Sequence, residues 1–195
     1  MASSSERRRP HVLGYVIVSR EGAYATADGH YPDVLKIEAD QIFYRDALRA
    51  ADAIANGRHS AERDPLTVDK KRLTATHQVH GLAFDPKRGH GLLWNPGGAS
   101  FDEAWQHLGL TPDSTLAVVG GAELFAAFLT IGYDTFFLTE CRSASVPEGR
   151  LTFPEMAAEP GLTPQAVLTR HGYRLEHIQL LDQASDTYLE TWIAA

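Results

Sequence analysis

One aspartate sits among aromatic residues in the stretch ADQIFYRDALRAA, residues 39–51. At helical spacings of three and four, Asp40, Phe43, Tyr44, Ala47, Leu48 and Ala51 share one face. A carboxylate facing an apolar cleft is costly to ionise, so its pKa rises and it can pass protons near neutral pH. An acid in the first turn of a helix also offsets the macrodipole with no chemistry involved, and the sequence leaves both roles open for Asp40. Two further stretches carry the residue types of an anion site. In NGRHSAE (56–62), Arg58, His59 and Ser60 place a cation, an imidazole and a hydroxyl at the opening of a predicted helix, where free backbone N–H groups add to their pull on a phosphate. A solvated, capped turn uses the same residues. In TLAVVGGAELFAAFL (115–129) a buried strand breaks at Gly120 and Gly121 and resumes at once as a helix. Bare N–H groups backed by a helix dipole form a place for an anion, and equally the glycines permit a tight turn between packed elements.

Other chemistry finds less support. His77 and His80 in HQVH have a metal-like spacing, but residues three apart on a strand point to opposite faces and no carboxylate cluster follows, so no metal site is expected. The single cysteine, Cys141, forms no internal disulfide and no cysteine-based zinc cluster, in keeping with a reducing compartment. No glycine-rich loop ends in Lys-Ser or Lys-Thr, and no H-x-E…P-C-x-x-C zinc signature occurs.

The elements that must position these residues alternate. HVLGYVIVS (11–19) is apolar and β-branched almost throughout, the pattern of a strand buried on both faces. Residues 20–33 carry turn formers without a sustained period and read as a long functional loop. The helix at 39–51 follows, then a short strand reaching Asn56-Gly57, a helix start with Ser60 as its cap, strands at 72–79 and 91–95, and a helix at 100–109 whose Ser100 and Glu103 form a capping box. After the double glycine and its helix, DTFFLTEC (134–141) is a strand, and 165–193 is expected to hold two or three longer antiparallel strands. This order predicts an α/β domain with a mostly parallel sheet and an antiparallel end, spanning 11–195, behind a disordered tail at 1–10.

The chain has 195 residues, 44% of them hydrophobic and 22% charged, which suits one domain with a well-filled core. A net charge of -7 argues against a nucleic-acid-binding face. No apolar run approaches the roughly 20 residues that span a bilayer, so no membrane partner and a cytoplasmic location are expected.

Together these stretches resemble the dihydrofolate reductase superfamily, which includes the reductase domain of riboflavin biosynthesis. VSREGAYA (18–25) is similar to S-x-D-G-x-x-A, with Glu21 for the usual Asp. ADQIFYRDAL (39–48) resembles A-D-x-x-x-F, NGRHSAE resembles M-G-R-H/K-T-x-E, VVGGAELFAAFL (118–129) resembles I-G-G-x-x-L/V-Y-x-x-F-L, and LTECRSASVPEGRLTFPEM (138–156) resembles L-T-x-I…D-x-x-F-P. The resemblance implies a three-layer α/β fold, a central mixed and mostly parallel sheet with an antiparallel C-terminal edge, and helices on both faces. It implies NADPH as cofactor, with Arg58, His59 and Ser60 on its 2′-phosphate and pyrophosphate. Gly57, Thr76, Val119, Gly120, Gly121, Ala122, Glu123, Leu124 and Phe125 complete that site, and Tyr24 and Ala25 lie in the loop that closes over the nicotinamide.

A cis peptide bond is expected between Gly120 and Gly121. Asp40 would sit under the substrate ring with Phe43 and Tyr44 against it, and Thr139 would hydrogen-bond the acid. The implied activity is hydride transfer from NADPH to a pterin-type C=N bond in a small-molecule substrate. A ribosylaminouracil-type reductase and a non-catalytic NADPH-binding protein are the alternatives, and a homodimer is compatible with each. The sequence departs from the family pattern in three places. Ala122 replaces a third glycine and Glu123 a common basic residue, residues 26–38 lack the usual Pro-Trp, and no arginine matches the one that grips the glutamate tail of folate, although Lys70 and Arg72 lie near its place.

Overall fold

The computed structural model describes residues 9–58, 67–87 and 89–195. At its centre lies β1 (His11–Ser19), whose alternate side chains serve two different layers. Val12 and Val18 enter a core formed with α2 (Phe101–His107), α3 (Ala122–Ile131), α4 (Pro154–Ala158) and α5 (Pro164–Arg170). Tyr15 enters the opposite layer with Leu48 and Ala51, at the end of α1 (Glu38–Ala50). Helices therefore cover both faces of the sheet, as the doubly buried pattern of β1 requires. Gly14 interrupts that pattern because a Cβ there would collide with the Phe136 ring.

The remaining strands are β2 (Ala23–Ala25), β3 (Ala53–Gly57), β4 (Lys71–Ala75), β5 (Leu82–Phe84), β6 (Gly91–Trp94), β7 (Thr115–Val118), β8 (Thr135–Cys141), β9 (Arg150–Leu151), β10 (Tyr173–Asp182) and β11 (Thr187–Ala194). Eight of them join β1 in one sheet of order β10-β11-β8-β1-β7-β3-β4-β6-β5. The six strands from β8 to β6 run parallel, β11 and β10 add an antiparallel edge, and β5 adds another at the far side. The fold is thus the mixed, mostly parallel α/β arrangement expected from the alternation of elements.

Local chemistry explains most boundaries. Ser100 accepts from the Glu103 N–H while the Glu103 carboxylate accepts from the Ser100 N–H, the capping box legible in the sequence. Several expectations change. Residues 164–170 form a helix rather than a strand, because Thr163 caps it, Pro164 occupies its first turn, and Pro164, Val167 and Leu168 bury one face. β4 stops at Ala75, and His77 and His80 sit in the turn that follows it. The loop at 20–33 contains β2, paired with β9, and a single 3-10 turn spans Asp33–Leu35. Arg9, in the expected tail, donates to Asp134 at 3.0 Å; residues 1–8 of that tail, and the helix start at Ser60, lie outside the described residues.

Candidate active site

Parallel strands that share a direction also share an edge at their C-terminal ends, and in open α/β sheets that edge is where ligands bind. Here the ends of β1, β3, β7 and β8 meet the first turns of α1 and α3. A cleft of about 380 Å³ opens there, lined by Tyr15, Val16, Ile17, Tyr24, Tyr31, Asp40, Gln41, Phe43, Tyr44, Val119, Phe125, Phe137 and Thr139. The register of β1 against β8 builds its floor, since Tyr15 pairs with Phe137 and Ile17 with Thr139 on one face. Tyr15 stacks on Phe137 with ring centroids 5.0 Å apart, and Phe43 closes the cluster edge-on to Phe137 at 5.4 Å.

Asp40 is the acid of this cleft. It lies in the first turn of α1, where it also complements the dipole, but it is only 6% exposed. Burial among aromatic rings pushes its pKa up from 3.8 to about 6, against the opposing pull of the Thr139 side chain that hydrogen-bonds the carboxylate. Asp40 thus combines the first-turn position that offsets the dipole with the burial that raises a carboxyl's pKa, the two features the sequence left open. Tyr31 stands beside it with its phenol donating to the Leu35 carbonyl at 2.7 Å, and burial together with the Asp40 charge raises the phenol's pKa.

The second half of the site is a backbone edge. Gly121 caps α3 without a side chain at φ 44°, and Gly120 precedes it at φ 132°, conformations that only glycine adopts freely. The first N–H groups of α3 have no intrahelical acceptor, and the positive end of the dipole lies behind them. The peptide between the two glycines is trans, which corrects the expected cis bond: the positive φ angles turn the chain from strand to helix without it. The Gly57 N–H donates to the Gly120 carbonyl at 2.8 Å and the Val119 N–H to Ala55 at 2.9 Å, so the ends of β3 and β7 are joined and Arg58 emerges exposed beside the double glycine. Behind this edge the buried Arg72 donates to Asn56 Oδ1 at 3.2 Å, and Asn56 Nδ2 donates to the Gly57 carbonyl at 2.8 Å. Arg72 thus supports the turn and does not line the cleft, while Lys70 caps the Arg49 and Ala51 carbonyls at the end of α1.

The structure sorts the other residues that the sequence singled out. Tyr24 packs edge-on to Phe125 at 6.4 Å, joining the loop after β1 to α3. Ala25 and Leu124 are buried and offer the site only backbone. Ala122 and Glu123 form the first turn of α3, with Glu123 exposed. Thr76, at the end of β4, is buried, accepts from the Gln78 N–H at 3.2 Å and stands away from the cleft lining. His59 and Ser60 lie outside the described residues. The loop itself is held by Glu21, whose carboxylate accepts from Ser19, Arg20, Ser145 and the Val146 N–H; these bonds outweigh its partial burial and hold its pKa down at about 2.

Tyr15, Tyr31 and Phe137 were missed as lining residues. Strand alternation relates Tyr15 to Ile17 and Phe137 to Thr139, but only the register between β1 and β8 brings the two pairs together.

Neither a protein-family model nor a curated protein matches the sequence. Solved structures do match the fold. One is a diaminohydroxyphosphoribosylaminopyrimidine deaminase/5-amino-6-(5-phosphoribosylamino)uracil reductase from Thermotoga maritima, with a TM-score of 0.64 and 13% identity over 96% of this chain; this chain spans 57% of that protein's length. Another is dihydrofolate reductase from Enterococcus faecalis complexed with NADP(H) and RAB-propyl, with a TM-score of 0.63 and 12% identity over 94% of this chain and 95% of that one. The fold is dihydrofolate reductase-like.

Proposed function

We propose that the protein is an NADPH-dependent reductase that delivers hydride to a pterin-type C=N bond. The observation that carries this reading is a buried carboxylate, raised toward neutrality, in an aromatic cleft next to the side-chain-free start of α3. The donor set fits a dinucleotide phosphate. Arg58 would hold the 2′-phosphate, and the N–H groups at Gly121, Ala122 and Glu123 would hold the pyrophosphate. Val119 and Tyr24, which line the cleft, would flank the nicotinamide. When bound, the cofactor supplies two electrons and a hydrogen as hydride.

The chain's own contribution is the proton. With a pKa of about 6, about one Asp40 in ten is protonated at pH 7, roughly 150-fold more than for a carboxyl at 3.8. That acid, held by Thr139, is suited to give its proton to the ring nitrogen beside the reduced carbon, directly or through a water, and is left as the carboxylate. Phe43, Tyr44 and Phe137 offer apolar faces to a flat ring and exclude bulk water from it.

The test is NADPH oxidation followed at 340 nm with dihydrofolate and, separately, with a ribosylaminouracil phosphate, against NADH and substrate-free controls. Turnover of the first supports the reading and turnover of the second alone replaces the substrate class. NADPH binding without turnover of either places the protein among non-catalytic relatives of the fold.

The proposal extends to a homodimer across β10. A bulge between Leu175 and His177 brings Leu175, Ile178 and Leu180 opposite Trp192, Glu190 and Tyr188, on one face of an edge strand, and all three are exposed. Light scattering should give a dimer mass that Ile178→Asp reduces to the monomer.

A further inference from the structure

We propose that the cleft is built for a flat heterocycle without an anionic tail, and that the Tyr15 hydroxyl reads that ring's second polar edge. The inference rests on the reductase reading for the use of the cleft and goes on to name what fills it. Tyr15 is 6% exposed, and its ring is fixed by stacking on Phe137 at 16° and by a tilted contact with Phe43. The other buried phenols are engaged by the protein: Tyr133 donates to the Phe125 carbonyl at 3.1 Å, and Tyr173 accepts from the Tyr133 N–H at 2.7 Å. Among the described residues the Tyr15 ring packs against rings and aliphatic side chains and no hydrogen bond engages its hydroxyl, although no fully buried side-chain polar atom among them lacks a partner. Its hydroxyl therefore meets open space, and the space that Tyr15 lines is the cleft. A phenol both donates and accepts, so it can meet an N–H or a carbonyl on the ring edge away from Asp40.

Charge narrows the class. Among the described lining residues the one side chain that ionises to a full charge near neutral pH is Asp40. A substrate phosphate or carboxylate seated beside it meets like charge at low dielectric, whereas a neutral ring, or one protonated at nitrogen, is attracted. The remaining walls are aromatic and aliphatic, which suits a planar bicycle with a short neutral substituent.

The experiment is anaerobic calorimetric titration of the full chain, with and without saturating NADPH, using 7,8-dihydrobiopterin, 7,8-dihydrofolate and 7,8-dihydroneopterin monophosphate. Dihydrobiopterin is expected to bind at least tenfold more tightly than the two anionic ligands. Tyr15→Phe should lose about tenfold of that affinity, the loss of one neutral hydrogen bond, with its melting temperature and NADPH affinity unchanged. Equal or tighter binding of either anionic ligand overturns the tail-free class. Unchanged dihydrobiopterin affinity in Tyr15→Phe overturns the role of the hydroxyl, and no binding of any of the three overturns the whole inference. Failure of the reductase reading is separate: it appears as wild-type protein that does not bind NADPH, and the titrations without cofactor still decide the role of Tyr15.

Discussion

Asp40→Asn should make the protein more stable and less active, and the stability gain should depend on pH. In the folded chain the carboxyl titrates at about 6 rather than 3.8, so between those values the folded state holds a proton that the unfolded state has released. Stability associated with this group is then fully present below about pH 4 and is lost as pH rises through 6. The displacement from 3.8 to about 6 corresponds to about 3 kcal/mol, the cost at pH 8 of keeping a charge among Phe43, Tyr44 and Phe137. Asparagine keeps the shape and a hydrogen bond to Thr139 but carries no charge. The variant should match wild type near pH 4 and exceed it by up to about 3 kcal/mol at pH 8, or roughly 6–12 °C in melting temperature for a domain of this size.

Urea unfolding followed by circular dichroism at pH 4.5, 6 and 8 measures the difference. Parallel pH profiles for the two proteins, or a less stable asparagine variant at pH 8, would refute the burial argument for Asp40. Turnover at pH 7 should fall at least tenfold while NADPH affinity stays within about twofold, because a group that acts on the reacting ring contributes little to cofactor binding.

Three further outcomes test the surroundings of that acid. Thr139→Val removes the bond that favours the carboxylate, so the apparent pKa seen in kcat/KM should move above about 6; a downward or absent movement would show that Thr139 does not govern the acid. Arg58→Ala should weaken NADPH at least tenfold and NADH by less than threefold, measured by fluorescence titration, and equal losses would remove Arg58 from reading the 2′-phosphate. Arg72→Met removes the guanidinium that donates to Asn56 Oδ1 behind the Gly57 turn; it should lower stability by about 1–3 kcal/mol in urea unfolding and raise the KM for NADPH while kcat at saturation changes little.

Much of this site was legible in local chemistry. The spacing of Asp40, Phe43 and Tyr44 placed an acid and two rings on one helical face, because a 3.6-residue period is a property of the backbone alone. The double glycine marked a strand-to-helix turn for the same reason, since only glycine takes φ 132° and 44° in succession without strain. Segments with two admissible periods were less decided. Residues 164–170 carry apolar side chains that a short strand or a short helix buries equally well, and the cap at Thr163 and packing against β10 select the helix.

The sequence by itself determined most of the elements, which residues carry charge, and that a carboxylate and a bare helix start are available. Tertiary structure alone decided that they come to the same edge of the sheet. Tyr15 and Phe137 lie more than a hundred residues apart and become neighbours through the parallel pairing of β1 with β8, while Gly57 meets Gly120 because β3 and β7 pair side by side. The altered pKa of Asp40 has the same origin: the loss of water that raises it depends on walls supplied by β1, α1 and β8 together. Periodicity and residue type act along the chain, whereas burial and register arise only when distant segments pack, and the chemistry of this cleft depends on both.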